Sequence, residues 1–291
     1  MNSETRARIA AMKGMKGKTA GLVLVLALFL ATAVTVGAEK GNLRVALVIG
    51  NGSYLYTTSL PNPPNDARGV AHVLRGMGFL VVELINADKS EMDREIRRYQ
   101  ALLGNAKVSL FFYAGHGLQI DGENYLVPTD ASFDNNSSIS SQIIGLSGFI
   151  SAIEKGPEVN LVFLDACRNN PLADVLQARI SRSRSVIFDG TREVRSVGQG
   201  LAEMKGVVGT LIAYATAPDN VAEDGQGKNS PFTAAFLKYV EEPGLEVRQF
   251  LTKVRLDVLE ATGYRQVPWD HSSLTVDFYF KPSVPVPLPP P

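Results

Sequence analysis

Two stretches decide the fold, Leu110-Phe111-Phe112-Tyr113-Ala114-Gly115-His116-Gly117 and Leu161-Val162-Phe163-Leu164-Asp165-Ala166-Cys167-Arg168-Asn169-Asn170-Pro171. Each opens as a short apolar run and breaks into small and polar residues, the pattern of a strand buried on both faces running into a loop. The pattern recurs outward from them. Leu43–Ile49, Phe79–Ile85, Val207–Ala215 and Thr275–Phe280 read as strands beside Val108–Tyr113 and Asn160–Leu164. Helical patterns lie between. One is capped by Asn65 and Asp66, carries Val70, Ala71, Leu74 and Met77, and stops at Gly78. A second starts on Ser90-x-x-Asp93 and presents Met92, Ile96, Tyr99 and Leu103. Leu146–Ile153, Pro231–Val240 and Leu245–Thr262 complete the set. Alternating strands and helices predict an α/β fold with a mainly parallel six-stranded sheet and helices on both faces.

Composition narrows the function. Lys plus Arg equals Asp plus Glu at 29 each, and 45% of residues are hydrophobic. That is too apolar and too balanced for a disordered chain. With no excess of positive charge, no nucleic-acid partner is expected. One cysteine and three histidines exclude a disulfide framework and a Cys-rich zinc site, and no histidines stand at HExxH spacing, so no metal site is assigned.

Arg6, Arg8, Lys13, Lys16 and Lys18 precede an uncharged apolar run from Gly21 to Val36, with Gly37-Ala38 at its exit. A basic head, an apolar stretch and small residues describe a signal peptide over residues 1–38, cleaved after Ala38. A periplasmic or secreted protein is expected. The competing reading is an uncleaved anchor, the one case in which a membrane would be a partner. Removing residues 1–38 leaves 24 basic and 28 acidic residues. Residues 43–280 read as the folded domain, and the proline-dominated 281–291 as an extended tail. Leu176–Gly206, with Arg179, Arg182, Arg184, Arg192 and Arg195 and little periodicity, reads as an exposed loop.

In parallel sheets, functional residues gather at the carboxyl ends of the strands. His116 and Cys167 both sit there, 51 residues apart, enough for one crossover that sets the two loops side by side. A thiol beside an imidazole is a nucleophile with its base. The Gly117 and Cys167 amides are candidate oxyanion donors. His72, in a helical pattern, and His271, in a polar loop, read as structural. Gly50-Asn51-Gly52 after a strand raises a nucleotide-binding alternative, weakened by the lack of G-x-G-x-x-G spacing or a P-loop lysine.

Further segments join these two: Gly50-Asn51-Gly52-Ser53-Tyr54, Asn65-Asp66-Ala67, Asn124-Tyr125-Leu126-Val127-Pro128 and Asn229-Ser230-Pro231-Phe232. In this order, from residue 43 to 280, the chain resembles the caspase-like cysteine peptidases of the caspase and metacaspase clan, in particular their secreted bacterial members. The resemblance implies a caspase-like fold, with His116 as general base or proton donor and Cys167 as nucleophile. By the metacaspase pattern, Asp66 and Asp165 line the pocket for the residue before the cut. Two carboxylates there favour Arg or Lys, so the expected partners are proteins or peptides with basic residues. Ala114 and Pro63 depart from that pattern, where relatives carry serine and cysteine. No cofactor is required, and the resemblance admits calcium. It also places the segment cut during maturation in the 179–206 arm, so self-processing is expected there. A catalytically silent peptide-binding or scaffold protein is the alternative.

Overall fold

The computed structural model describes residues 42–133, 138–153, 156–167, 171–182, 186–190, 192–198, 201–204, 207–217 and 222–283, without the side chains of residues 167 and 171. The expected signal peptide and the tail from residue 284 lie outside the described residues. Among the described residues, no helix is long and apolar enough to cross a membrane.

The main sheet is built from β1 (Leu43–Gly50), β2 (Phe79–Ile85), β3 (Ala106–Ile120), β6 (Val159–Cys167), β10 (Thr210–Tyr214) and β11 (Trp269–Ser272). Their spatial order is β11-β10-β6-β3-β1-β2. All neighbours are parallel except β10 and β11. Alternate side chains feed two cores. Ala46, Val48, Leu110, Phe112, Leu161 and Phe163 face α1 (Pro63–Gly76), α5 (Pro231–Tyr239) and α6 (Val247–Ala261). Val45, Leu47, Phe111, Tyr113, Val162 and Leu164 face α2 (Lys89–Leu103) and α3 (Leu146–Ile153). Each such side chain contributes about 1.5–3 kcal/mol by leaving water, which is why these strands carry no polar face.

The helix starts differ from the expected ones. Asn62 is the N-cap of α1, and Pro63 and Pro64 open it, where a missing N–H costs nothing. Asp66 therefore lies inside the first turn. In α2 the capping box is Asp88 with Glu91, two residues before the expected pair: Asp88 Oδ1 accepts the Glu91 N–H at 2.8 Å, and Glu91 Oε2 accepts the Asp88 N–H at 3.2 Å. The face Met92, Ile96, Tyr99, Leu103 is buried as its spacing predicts.

Three larger corrections concern strands. Thr275–Phe280 is not the sixth strand: β11 is, and His271 lies in it rather than in a loop. Phe278 and Phe280 alternate as a strand would, but they insert into the aromatic cluster of Phe163, Phe236 and Phe250. Their segment is held by other partners: the Phe278 carbonyl accepts the Val247 N–H at 2.9 Å, and the Arg44 guanidinium, between the rings of Phe79 and Phe278, donates to the carbonyls of Tyr279 and Phe280, 3.0 Å each. β3 does not end at Tyr113. It runs to Ile120, and its second half pairs antiparallel with β4 (Glu123–Leu126) and β9 (Val197–Gly198), while β4 also pairs β5 (Ile144–Gly145). The 176–206 segment is not a bare loop. It contains the end of α4 (Pro171–Arg182), the hairpin of β7 (Ile187–Asp189) and β8 (Arg192–Glu193), and β9. Leu176, Val186, Phe188 and Val194 bury against Leu118, Ile120 and Tyr125 in a third core, so irregularly spaced apolar residues still found a surface to cover.

Candidate active site

The strand order turns at β1. The chain steps from β1 to β2 on one side, then crosses to β3 on the other, and ligands bind at such a switch point beyond the carboxyl ends of the strands. Four segments meet there: the loop after β1, the first turn of α1, the middle of β3 and the end of β6.

β3 and β6 run in register through Ala114 with Asp165, Gly115 with Ala166 and His116 with Cys167. The two residues singled out by sequence are therefore ladder partners, on strands about 4.8 Å apart. His116 is the residue at which β3 leaves β6, because Gly117 already pairs with Leu126 of β4. Gly115 makes the turn-off, with φ at +149°. A Cβ on it would lie 2.7 Å from Tyr54 Oη, 2.8 Å from Tyr113 Oη and 3.0 Å from the Asn51 carbonyl.

The His116 ring is 1% exposed. Its Nε2 lies 2.8 Å from the Thr58 carbonyl. A carbonyl only accepts, so Nε2 carries the proton and Nδ1 the lone pair. Nδ1 is buried and has no hydrogen-bond partner among the described residues. Burial holds the imidazole pKa below its ordinary value, offset in part by the Thr58 carbonyl. The ring is therefore a neutral base whose basic nitrogen is unpaired among the described residues. Neither Tyr54 nor Thr58 was marked by periodicity. The Gly50-Asn51-Gly52-Ser53-Tyr54 motif was the only signal for Tyr54, and Thr58 had none.

The expected pocket residues are also brought together. Asp66, from α1, is 1% exposed and Asp165, from β6, is 5% exposed. The segment opening α5 joins them. Asp66 Oδ1 accepts from Asn229 Nδ2 at 2.8 Å and from the Ser230 amide at 3.1 Å. Asp165 Oδ2 accepts from Ser230 Oγ at 2.5 Å and Thr233 Oγ1 at 2.7 Å. Asp66 Oδ2 is buried with no partner among the described residues. Both carboxyls are held above the usual range, first by burial; the Asp165 charge raises Asp66 further, and the half-buried Asp224 raises both. Sequence reading missed Asp224, which follows β10 in an irregular segment. Its carboxylate accepts the Asn62 N–H at 3.4 Å, and its backbone carbonyl accepts from Asn62 Nδ2 at 2.5 Å. None of the three acids forms an ion pair among the described residues.

Gly117, the expected oxyanion donor, packs against Leu201 and Ala166. Cys167 has its backbone at the end of β6, and its side chain lies outside the described residues. His72 lies on exposed α1 surface, away from the sheet. The Gly50-Asn51-Gly52 loop is no phosphate cradle. A Cβ at Gly50 would meet the Pro63 carbonyl at 2.2 Å, and the buried Asn51 amide binds Ala87 and Val127.

An open, mostly parallel sheet with this histidine beside this cysteine position defines a caspase-type α/β domain. The family described as "Caspase domain" matches residues 43–279, and the chain belongs to that family. It is a caspase-like cysteine-peptidase domain. The chain is 31% identical over 142 residues to the Mus musculus mucosa-associated lymphoid tissue lymphoma translocation protein 1 homolog, and 30% identical to the Homo sapiens protein. Those matches cover 46% of this chain and 17% of each relative. In three dimensions it resembles caspase-1 from Spodoptera frugiperda, with a TM-score of 0.54 and 15% identity, over 85% of this chain and 92% of that one. That likeness is one of fold.

Proposed function

We propose that this chain is a cysteine endopeptidase that cuts after Arg or Lys. The observation that carries the reading is the pairing of His116 with Cys167 across β3 and β6, with the histidine's basic nitrogen unpaired among the described residues and its other nitrogen tied to Thr58. In the proposed reaction the Cys167 thiol gives its proton to His116 Nδ1, and sulfur attacks the scissile carbonyl. The Gly117 and Cys167 amides face the oxyanion. The imidazolium then returns the proton to the departing amine, and water hydrolyses the thioester.

Specificity follows from charge. Asp66, Asp165 and Asp224 carry no paired cation among the described residues, and a guanidinium or ammonium entering beside them supplies one. An aspartyl side chain would add a further charge of the same sign. Self-processing in the 179–206 arm belongs to the same reading, since the arm supplies basic residues. Export belongs to it too, with residues 1–38 as leader and the mature chain in the periplasm or outside the cell. No cluster of three or more His, Cys, Asp or Glu side chains among the described residues is arranged to hold a metal ion.

Turnover of arginyl, lysyl and aspartyl fluorogenic peptides tests the proposal, with Cys167→Ala as control. Hydrolysis of the basic peptides and its loss in Cys167→Ala are expected. Cleavage of the aspartyl peptide alone would overturn the pocket argument, and equal rates in Cys167→Ala would overturn the nucleophile.

A further inference from the structure

The proposed reaction requires a buried imidazole to become an imidazolium, and burial opposes that charge. The groups facing the ring can be named. The loop after β1 brings Tyr54 and the Thr58 carbonyl, β3 brings the Tyr113 hydroxyl beneath the His116 backbone, and β6 brings position 167. Burial and Thr58 are the causes of the imidazole's shift; the charges of Asp165 and Asp224 bear on the pocket carboxyls. The Cys167 and Arg168 side chains lie outside the described residues.

Tyr54 makes two contacts that the reaction scheme does not use. Its ring centroid is 4.5 Å from that of His116, with the planes inclined at 44°. An aromatic face within about 6 Å of a cation attracts it, and more strongly when water is excluded. Tyr54 is 7% exposed. Its hydroxyl also accepts the His116 backbone N–H at 2.7 Å, while Tyr113 Oη donates to the His116 carbonyl at 2.7 Å. Both backbone polar groups of His116 thus meet tyrosine hydroxyls, the carbonyl also accepting the Val127 N–H at 3.1 Å, and only a glycine at 115 leaves room for the two oxygens.

We infer that Tyr54 is a positioning residue for the base, its hydroxyl fixing the His116 backbone and its ring stabilising the imidazolium formed when Cys167 gives up its proton. This rests on the reading of His116 as base. In the step concerned, the S–H bond breaks, an Nδ1–H bond forms, and the electron pair stays on sulfur. Because burial disfavours the imidazolium, the population of the ion pair follows whatever stabilises the cation.

The test uses the full chain and its single cysteine. The rate of Cys167 alkylation by iodoacetamide is followed against pH in wild type, His116→Ala, Tyr54→Phe and Tyr54→Leu. Wild type should react faster near neutrality than an ordinary thiol, and His116→Ala should keep only the inflection near about 8.5. Tyr54→Leu should lower the neutral rate about five- to tenfold, the equivalent of about one pH unit, and leave the alkaline limit unchanged. Tyr54→Phe keeps the ring and should restore the neutral rate, yet lower kcat with KM unchanged, because the buried His116 N–H loses its acceptor. A wild-type profile in His116→Ala overturns the base reading. Loss of neutral reactivity in His116→Ala but not in Tyr54→Leu overturns the role of the ring alone. An unchanged kcat in Tyr54→Phe overturns the role of the hydroxyl. If Tyr54→Leu fails to fold by near-ultraviolet circular dichroism, Tyr54→Met, also without an aromatic face, gives the same comparison.

Discussion

At the scale of single residues, the site is a place where stability is given up. Asp66 has one carboxylate oxygen hydrogen-bonded and the other buried without a partner among the described residues, next to a second buried carboxyl. Its folded pKa lies above the unfolded value, chiefly through burial and then through the Asp165 charge. A carboxyl raised in this way favours the fold while protonated. That contribution is lost as pH rises from the unfolded pKa near about 3.9 through the higher folded value. Asp66→Asn keeps an acceptor for Asn229 and Ser230 and removes the charge. It should raise Tm at neutral pH by about 2–4 °C, corresponding to about 1 kcal/mol, and flatten the dependence of Tm on pH. The same substitution should cut turnover of arginyl peptides at least about tenfold by weakening the charge-assisted bond. Calorimetry of both proteins across pH checks the first part, and a lower Tm in the variant would contradict it. Asp66 and Asp165 were legible in sequence only through motif resemblance. Asp224 was not, because an acid in an irregular segment looks like any solvated surface residue until the chain folds over it.

At the scale of elements, β3 carries the argument. Its apolar run marked a strand to Tyr113, and the small residues after it looked like a loop. The backbone stays extended because a second partner, β4, takes over the ladder where β6 ends. A β-ladder is a property of two segments, and nothing within Ala114–Ile120 announces the other. Gly115 is the joint. Gly115→Ala puts a Cβ against two tyrosine hydroxyls at a backbone angle that L-residues rarely adopt. It should destabilise the domain by about 1–3 kcal/mol, read by urea denaturation, with the displaced hydroxyls misplacing His116. Wild-type stability in this variant would show that the joint has slack. The helices were more legible: the buried stripes of α2 and α3 follow from spacing alone. The caps of α1 and α2 lie two to four residues before the expected ones, because Ser, Asn and Asp recur near each start and only geometry selects one.

At the scale of the whole molecule, crossovers gather residues from distant positions: Tyr54 and Thr58 after β1, Asp66 on α1, His116 on β3, Cys167 on β6, Asp224 after β10 and Ser230 at the start of α5. The arginine-bearing arm is partly built into the third core, and this selects among its arginines. Arg179 donates to the Phe133 carbonyl, and Arg192 pairs with Asp121 and covers the Phe188 ring. The exposed Arg195 has its backbone pinned, since Asp121 Oδ1 accepts the Arg195 and Ser196 N–H groups at 2.9 and 2.8 Å. Arg182 is exposed at the last residue of α4, followed by Ser183-Arg184-Ser185 outside the described residues. Self-cleavage should therefore leave new N-termini at Ser183 or Ser185 in wild type and none in Cys167→Ala, as N-terminal sequencing of the purified proteins would reveal. The same fragments in both would show that another protease cuts the arm.

The amino-acid sequence by itself determined the layered α/β architecture, the buried strands, the faces of the long helices and the candidate pair His116 and Cys167. These depend on local periodicity, and on apolar runs too long to leave in water. Tertiary structure alone decided that residues 269–272 rather than 275–280 close the sheet, that His116 lies within a strand, and that Tyr54, Thr58 and Asp224 belong to the site. Each of these rests on a hydrogen bond, ring contact or charge between segments far apart in the chain, and such partners exist only once the crossovers have brought them within reach.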